Sequence, residues 1–167
     1  MKKGVYAGSF DPPTNGHLWM IEQGSRLFDE LVVAVGIHPD KREEYMFSVK
    51  ERMEMLREIV RECDNVEVGN CGKQYLVNYA KSVGAEYVLR GIRSEKDYEE
   101  ERKMRNVNRD LDSEIETVFL IPPREIVEIT SSFVKDMVGY EGWEEIIKKH
   151  VPGPVYEKFL GKSGIFK

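Results

Sequence analysis

Ten residues, Gly8-Ser9-Phe10-Asp11-Pro12-Pro13-Thr14-Asn15-Gly16-His17, constrain this chain more than any other stretch. They follow the apolar run Val5-Tyr6-Ala7 and precede a helical pattern carrying Leu18, Ile21, Leu27 and Phe28. The context is strand, tight loop, helix start. Gly8 has no Cβ, so the backbone there can turn sharply or lie against a ligand. Asp11-Pro12-Pro13 sets a turn, and Thr14 or Asn15 can cap the helix behind it. Free N–H groups at a helix start behind such a loop favour a phosphate, and His17 in the first turn can reach back to it. An ordinary strand-to-helix loop with a surface histidine fits the same residues, so the rest of the chain has to decide.

With 167 residues the chain is expected to form one domain, spanning 1–167, with a single well-buried core. A net charge of −5 argues against broad nucleic-acid binding, which needs a basic face. It leaves room for a small anionic substrate, because a few converging cations make a locally positive pocket. The start, Met1-Lys2-Lys3-Gly4, runs directly into a strand, so no secretion leader is expected. The longest apolar stretch, Leu31 to Ile37, is too short to span a bilayer. Cys63 and Cys71 form no C-x-x-C pair and read as free thiols of a reducing cytoplasm. Three histidines in no zinc-like spacing predict no structural metal.

The continuous β-branched run Leu31–Val35 predicts a strand buried on both faces, as in a parallel sheet. Ser48-Val49-Lys50-Glu51 is a capping box opening a helix through Met53, Leu56, Ile59 and Val60. Asn65–Val68 predicts a short third strand. A helix with Tyr75, Leu76, Tyr79, Ala80 and Val83 on its buried face follows, closed by Gly84. Tyr87–Leu89 is a fourth strand and Thr117–Ile121 a fifth, with a charged helix from Glu95 to Arg109 between them. Thr130-Ser131-Ser132 opens another helix, and two short ones follow around Trp143 and Pro154. Strands alternating with helices predict an α/β fold, a doubly wound, parallel five-stranded sheet with C-terminal helices. Ligands of such sheets bind beyond the strand C-termini, at the switch point. The loops there carry Ser9–His17, Lys41-Arg42, Arg90–Arg93 and Thr130–Ser132.

Arg90 and Arg93 flank Gly91 at the end of a buried strand, where arginine forks can hold phosphate oxygens. Thr130-Ser131-Ser132 serves either as a helix cap or as a triphosphate contact. The charged helix reads mostly as surface, with Glu99–Lys103 and Glu101–Arg105 as i,i+4 pairs worth about 0.2–0.5 kcal/mol each. His38 and His150 have no motif around them, and Trp19 and Trp143 read as packing residues.

Ser9-Phe10-Asp11-Pro12 and Thr14-Asn15-Gly16-His17 resemble the [ST]-F-D-P-x-T-x-G-H motif of the nucleotidyltransferase superfamily. The T-x-G-H form, the Arg90-Gly91-Ile92-Arg93 block and the short length are similar to the phosphopantetheine adenylyltransferase family. The resemblance runs from Gly8 to about Lys135 and includes Asn108-Arg109 and Ile129–Lys135. It implies a Rossmann-like fold and transfer of an adenylyl group from ATP to 4′-phosphopantetheine, giving dephospho-coenzyme A and pyrophosphate, with Mg²⁺ accompanying ATP. His17, Lys41 and Arg90 would then be catalytic. Ser9, Lys41, Leu76, Arg90 and Asn108 would contact 4′-phosphopantetheine. Ser9, Phe10, His17, Gly91, Ile92, Arg93, Glu101 and the segment Ile126-Val127-Glu128-Ile129-Thr130-Ser131-Ser132 would contact ATP. A homohexamer, binding of dephospho-coenzyme A or coenzyme A, and no nucleic-acid or membrane partner are implied as well. The chain departs from the family pattern at Ser9 (commonly threonine), Glu100 (often tyrosine) and Thr130 (usually serine), and its tail from Gly161 has no counterpart. A nicotinamide mononucleotide transferase is the nearest alternative reaction, though such relatives usually carry H-x-G-H. A non-catalytic nucleotide-binding regulator is the alternative from another class.

Overall fold

Strand β2 (Glu30–Gly36) explains why the chain needs cover on both sides. Leu31, Val33 and Val35 pack into one core cluster while Val32 and Ala34 pack into another. Alternate residues of one strand therefore bury opposite faces of the sheet. In the computed structural model, which describes residues 1–37, 45–162 and 164, β2 lies beside β1 (Lys3–Gly8) and β3 (Val66–Gly72). On the other side β1 pairs with β4 (Tyr87–Gly91), and β4 with β5 (Glu116–Leu120). All four pairings are parallel, in the order β3-β2-β1-β4-β5. The chain reverses its winding direction between β1 and β4, so their C-terminal ends, Gly8 and Gly91, mark the switch point.

One sheet face is covered by α1 (Asn15–Leu27) and α2 (Val49–Ile59), which bury Met20, Ile21 and Leu56 against Tyr6, Val33 and Leu89. The other face packs α3 (Leu76–Ser82) through Tyr79 and Ala80 onto Val5, Ala7 and Val88. Helix α4 (Glu95–Leu111) runs beside α3. The last three helices, α5 (Ser131–Met137), α6 (Trp143–Ile147) and α7 (Gly153–Gly161), bury Val134, Ile147, Val155 and Phe159 with Phe47 and Met55 in a third cluster. Lys162 and Lys158 pair with Glu51 and Glu54 and tie the end of the chain to α2. Among the described residues no helix is long and apolar enough to cross a membrane.

Two elements differ from the sequence reading. β3 continues past Val68 through Asn70 and Gly72, residues expected in a loop. Pairing with β2 carries the strand on, and Cys71 within it is buried, its Sγ 3.4 Å from the Val35 carbonyl. Tyr75, expected on the buried face of α3, is its exposed N-cap residue.

At Gly69 a Cβ would lie 2.1 Å from the Tyr79 hydroxyl, so the strand and α3 meet only because that side chain is missing. Gly69→Ala is expected to cost about 1–3 kcal/mol by overpacking. Urea denaturation checks it, and Tyr79→Phe in the same chain should recover part of the loss.

Candidate active site

The loop from Gly8 to Thr14 joins the end of β1 to α1. Thr14 is the N-cap residue of α1, and His17 stands at the third helical position. The Thr14 hydroxyl accepts from the His17 backbone N–H at 3.4 Å, and His17 Nδ1 accepts from the Thr14 N–H at 2.9 Å. This is a capping box with imidazole in the usual place of a carboxylate. An Nδ1 that accepts is unprotonated, so in the neutral ring Nε2 carries the hydrogen and donates.

Burial, helped by the positive field of Arg93, lowers the His17 pKa from 6.5 to about 4. The free protein therefore holds a neutral imidazole at pH 7. Unfolded chains take up a proton below 6.5 that the folded ring refuses, so stability is complete above 6.5 and is lost as pH falls towards 4. Between pH 6.5 and 5 the wild type should lose about 2 kcal/mol that His17→Gln does not, measured by urea denaturation at each pH.

Phe10 has φ 48, the left-handed region that bulky residues avoid. Its ring is fully buried, edge-on to Tyr6 at 5.5 Å and to His17 at 5.0 Å. The next residue, Asp11, is also buried and accepts from the N–H groups of Met46 and Phe47 and from Lys135 Nζ.

Across the switch point, Arg90 is held side-on. Its Nε donates to Glu101 Oε2 at 2.8 Å, its NH2 nitrogen to Glu101 Oε1, and its NH1 nitrogen to the Ala7 carbonyl at 3.1 Å. Three of its five N–H groups are used and two remain for a ligand. Burial alone would lower the Arg90 pKa, but the hydrogen bond and charge of Glu101 outweigh it and raise it. Arg93 pairs with Asp97 at 2.9 Å. Glu101 therefore does not make the i,i+4 pair with Arg105 read from the sequence. The side of α4 facing β4 is occupied by Arg90, a partner distant enough in the chain to escape a local pattern.

The third wall comes from the turn before α5. Thr130 caps α5 by accepting from the Phe133 N–H at 3.0 Å, and the Ser131 hydroxyl donates to the Pro12 carbonyl at 2.8 Å. A Cβ on Gly16 would stand 3.0 Å from the Ile129 carbonyl, so glycine lets this turn close over the start of α1. These elements enclose a cavity of about 330 Å³. On it converge His17, Arg90, Arg93, Gly8 and Gly91. The arrangement can bind several anionic oxygens at once and offer an oriented neutral donor to charge that develops on one of them.

Residues 5–137 match the family model described as cytidylyltransferase-like. A phosphopantetheine adenylyltransferase of Chromobacterium violaceum is 54% identical over 160 residues, covering 96% of this chain and 96% of that protein. One from Neisseria meningitidis serogroup B is 55% identical over 161 residues, covering 96% of this chain and 94% of that protein. The chain belongs to the phosphopantetheine adenylyltransferase family. In fold it is also similar to the Plasmodium falciparum nicotinic acid mononucleotide adenylyltransferase complexed with NaAD, with a TM-score of 0.68, 16% identity, and coverage of 100% of this chain and 99% of that one.

Of the residues that membership in the phosphopantetheine adenylyltransferase family suggests, Ser9, His17, Arg90, Gly91, Arg93, Glu101, Ile126, Ile129 and Thr130 stand on the cavity wall. Ile92, Val127, Glu128, Ser131 and Ser132 flank these wall residues in the chain without lining the cavity. The Phe10 side chain is core rather than wall, because its backbone conformation turns the ring inward against Tyr6 and His17. Leu76 packs against the α3 side of the sheet, and Asn108 is buried within α4; neither lines this cavity. Lys41 lies outside the described residues. The sequence reading missed Tyr6, Met20 and Asp97 on the wall, and it missed buried Arg52. The signal for Arg52 was available: it lies three and four positions before the core residues Met55 and Leu56, on the inward side of α2.

Proposed function

We propose that the protein transfers the adenylyl group of ATP to 4′-phosphopantetheine, releasing pyrophosphate and forming dephospho-coenzyme A, a late step of coenzyme A biosynthesis. The observation that carries the reading is the convergence of His17 with Arg90 and Arg93 on one cavity at the switch point, in a chain of this family. The attacking group is an oxygen of the acceptor phosphate, already ionised at neutral pH. It forms a bond to the α-phosphorus of ATP while the bond to pyrophosphate breaks, and no protein nucleophile is required. Catalysis is then positioning and stabilisation of charge. His17 Nε2–H donates to the α-phosphate oxygen as charge builds there. The free N–H groups of Arg90 hold the attacking phosphate with Lys41, and Ser9 joins them. Arg93, Gly91 and the turn from Ile126 to Ser132 hold ATP, and Glu101 both orients Arg90 and contacts the nucleotide.

Among the described residues no cluster of three or more His, Cys, Asp or Glu could hold a metal, and Asp97 and Glu101 are engaged by Arg93 and Arg90. Mg²⁺ therefore fits as an ion carried by the triphosphate, where it offsets negative charge when bound. Met104, Val107 and Leu111, exposed and spaced along one side of α4, support association with further copies of the chain, and a hexamer is the assembly we infer. The free cysteines support a cytoplasmic setting. The whole chain serves as one nucleotidyltransferase domain.

The transfer is reversible, so dephospho-coenzyme A and pyrophosphate with Mg²⁺ should yield ATP, read by luminescence. No ATP from this pair, with protein folded by circular dichroism, would overturn the assignment.

A further inference from the structure

We propose that Arg52 and Asp11 are positioning residues for this transfer, bracing the turn at Phe10 from both sides so that Ser9 and His17 meet the phosphates. The proposal rests on the reaction assigned above.

Phe10 takes a backbone conformation that a bulky side chain adopts only when its surroundings impose it. The imposition is visible on both flanks. On one side, Arg52 NH1 donates to the Ser9 carbonyl at 2.6 Å. Arg52 is 1% exposed, and its guanidinium lies over the Tyr45 ring, 4.2 Å from the centroid. On the other side, Asp11 is 1% exposed and its carboxylate accepts from Met46 N–H at 2.9 Å, Phe47 N–H at 2.8 Å and Lys135 Nζ at 3.3 Å. Three elements, the stretch before α2, α2 itself and α5, thus converge on Ser9-Phe10-Asp11.

Buried charges are a poor way to gain stability, since apolar residues of the same volume usually serve as well or better. What charge-assisted bonds supply is direction. The direction matters because Ser9 is on the cavity wall and the Phe10 ring abuts His17 edge-on at 5.0 Å. A shift of the Phe10 turn therefore moves both a phosphate contact and the imidazole, while leaving Arg90 and Arg93 on β4 and its following loop where they were.

The test compares Arg52→Met, Asp11→Asn and Lys135→Met with Val155→Ala, a buried apolar substitution in the C-terminal cluster that removes no polar contact to the loop. All are assayed well below their melting temperatures. Arg52→Met and Asp11→Asn should lower kcat by about 10–100-fold, the loss expected of a misplaced reacting group, with both KM values within about threefold. Lys135→Met, which removes one partner of Asp11, should lower kcat several-fold. Val155→Ala should lose stability and keep its kcat.

A second readout does not depend on turnover. The ring ¹⁵N resonances of His17, which report the Thr14 N–H to Nδ1 bond, should move in Arg52→Met and stay in Val155→Ala. Unchanged kcat in Lys135→Met, or a kcat loss in Val155→Ala as large as in Arg52→Met, would overturn the proposal. So would unmoved His17 resonances in Arg52→Met, or in Lys135→Met should Arg52→Met not fold. If the wild type lacks turnover with 4′-phosphopantetheine while the His17 resonances respond as expected, the reaction is wrong and the brace stands.

Discussion

Replacing His17 with alanine is expected to lower kcat by about 10²–10³ while the KM for ATP changes by less than about threefold. The magnitude is that of one oriented donor removed from a site of developing charge. The split follows from the division of labour in the cavity. In the proposed arrangement Arg93, the backbone of Gly91 and the turn around Thr130 on the cavity wall hold the triphosphate before reaction, and none of these changes in the variant. His17 contributes a neutral Nε2–H, because Thr14 occupies Nδ1 and burial keeps the ring unprotonated. In the proposed reaction its donation strengthens only as the α-phosphate gains charge, which is the condition for raising kcat rather than affinity. Losing the capping-box acceptor costs about 0.5–2 kcal/mol of stability, too little to unfold a domain of ordinary stability. A rise in KM with kcat unchanged would mean that His17 merely helps hold ATP.

The second large effect is at Arg90. Arg90→Met keeps the aliphatic stem and removes every donor, so kcat/KM for 4′-phosphopantetheine should fall by about 10²–10³, the value of one or two charge-assisted bonds to phosphate. The same change strands the Glu101 carboxylate, whose side chain is only 14% exposed. The variant should therefore also lose about 1–3 kcal/mol of stability. Adding Glu101→Gln removes the stranded charge and should return the stability without returning the activity. That separation is the point of the experiment. A double variant that recovers both would show that Arg90 works only as a partner for Glu101, and the coupling energy from the full cycle measures how much of each effect is shared.

Much of this site could be read from local sequence, and its limits are those of local pattern. Gly8 to His17 announced strand, loop and capped helix because each step has a short-range cause: an apolar run, prolines, then Thr14 or Asn15 as a cap. The β-branched run at Leu31–Val35 required cover on both faces and hence a parallel sheet. What stayed hidden depends on residues far apart in the chain. Glu101 has Arg105 one helical turn away, which fits an i,i+4 pair, and nothing local says that Arg90 claims it instead. Phe10 carries no mark of a left-handed backbone. Asp11 looks like a turn residue, yet its partners are the backbone of Met46 and Phe47 and the side chain of Lys135. The end of β3 was lost because Gly69-Asn70-Cys71-Gly72 has loop composition; its strand conformation comes from pairing with β2 and burial of Cys71.

In the proposed reaction this cavity joins ATP to 4′-phosphopantetheine. The most direct measurement is pyrophosphate release from MgATP with 4′-phosphopantetheine, and in parallel with nicotinamide mononucleotide, in wild type and His17→Ala. Release with 4′-phosphopantetheine alone, falling by about 10²–10³ in His17→Ala, is the expected result. Release with the mononucleotide alone, or with neither acceptor although ATP binds, would contradict it.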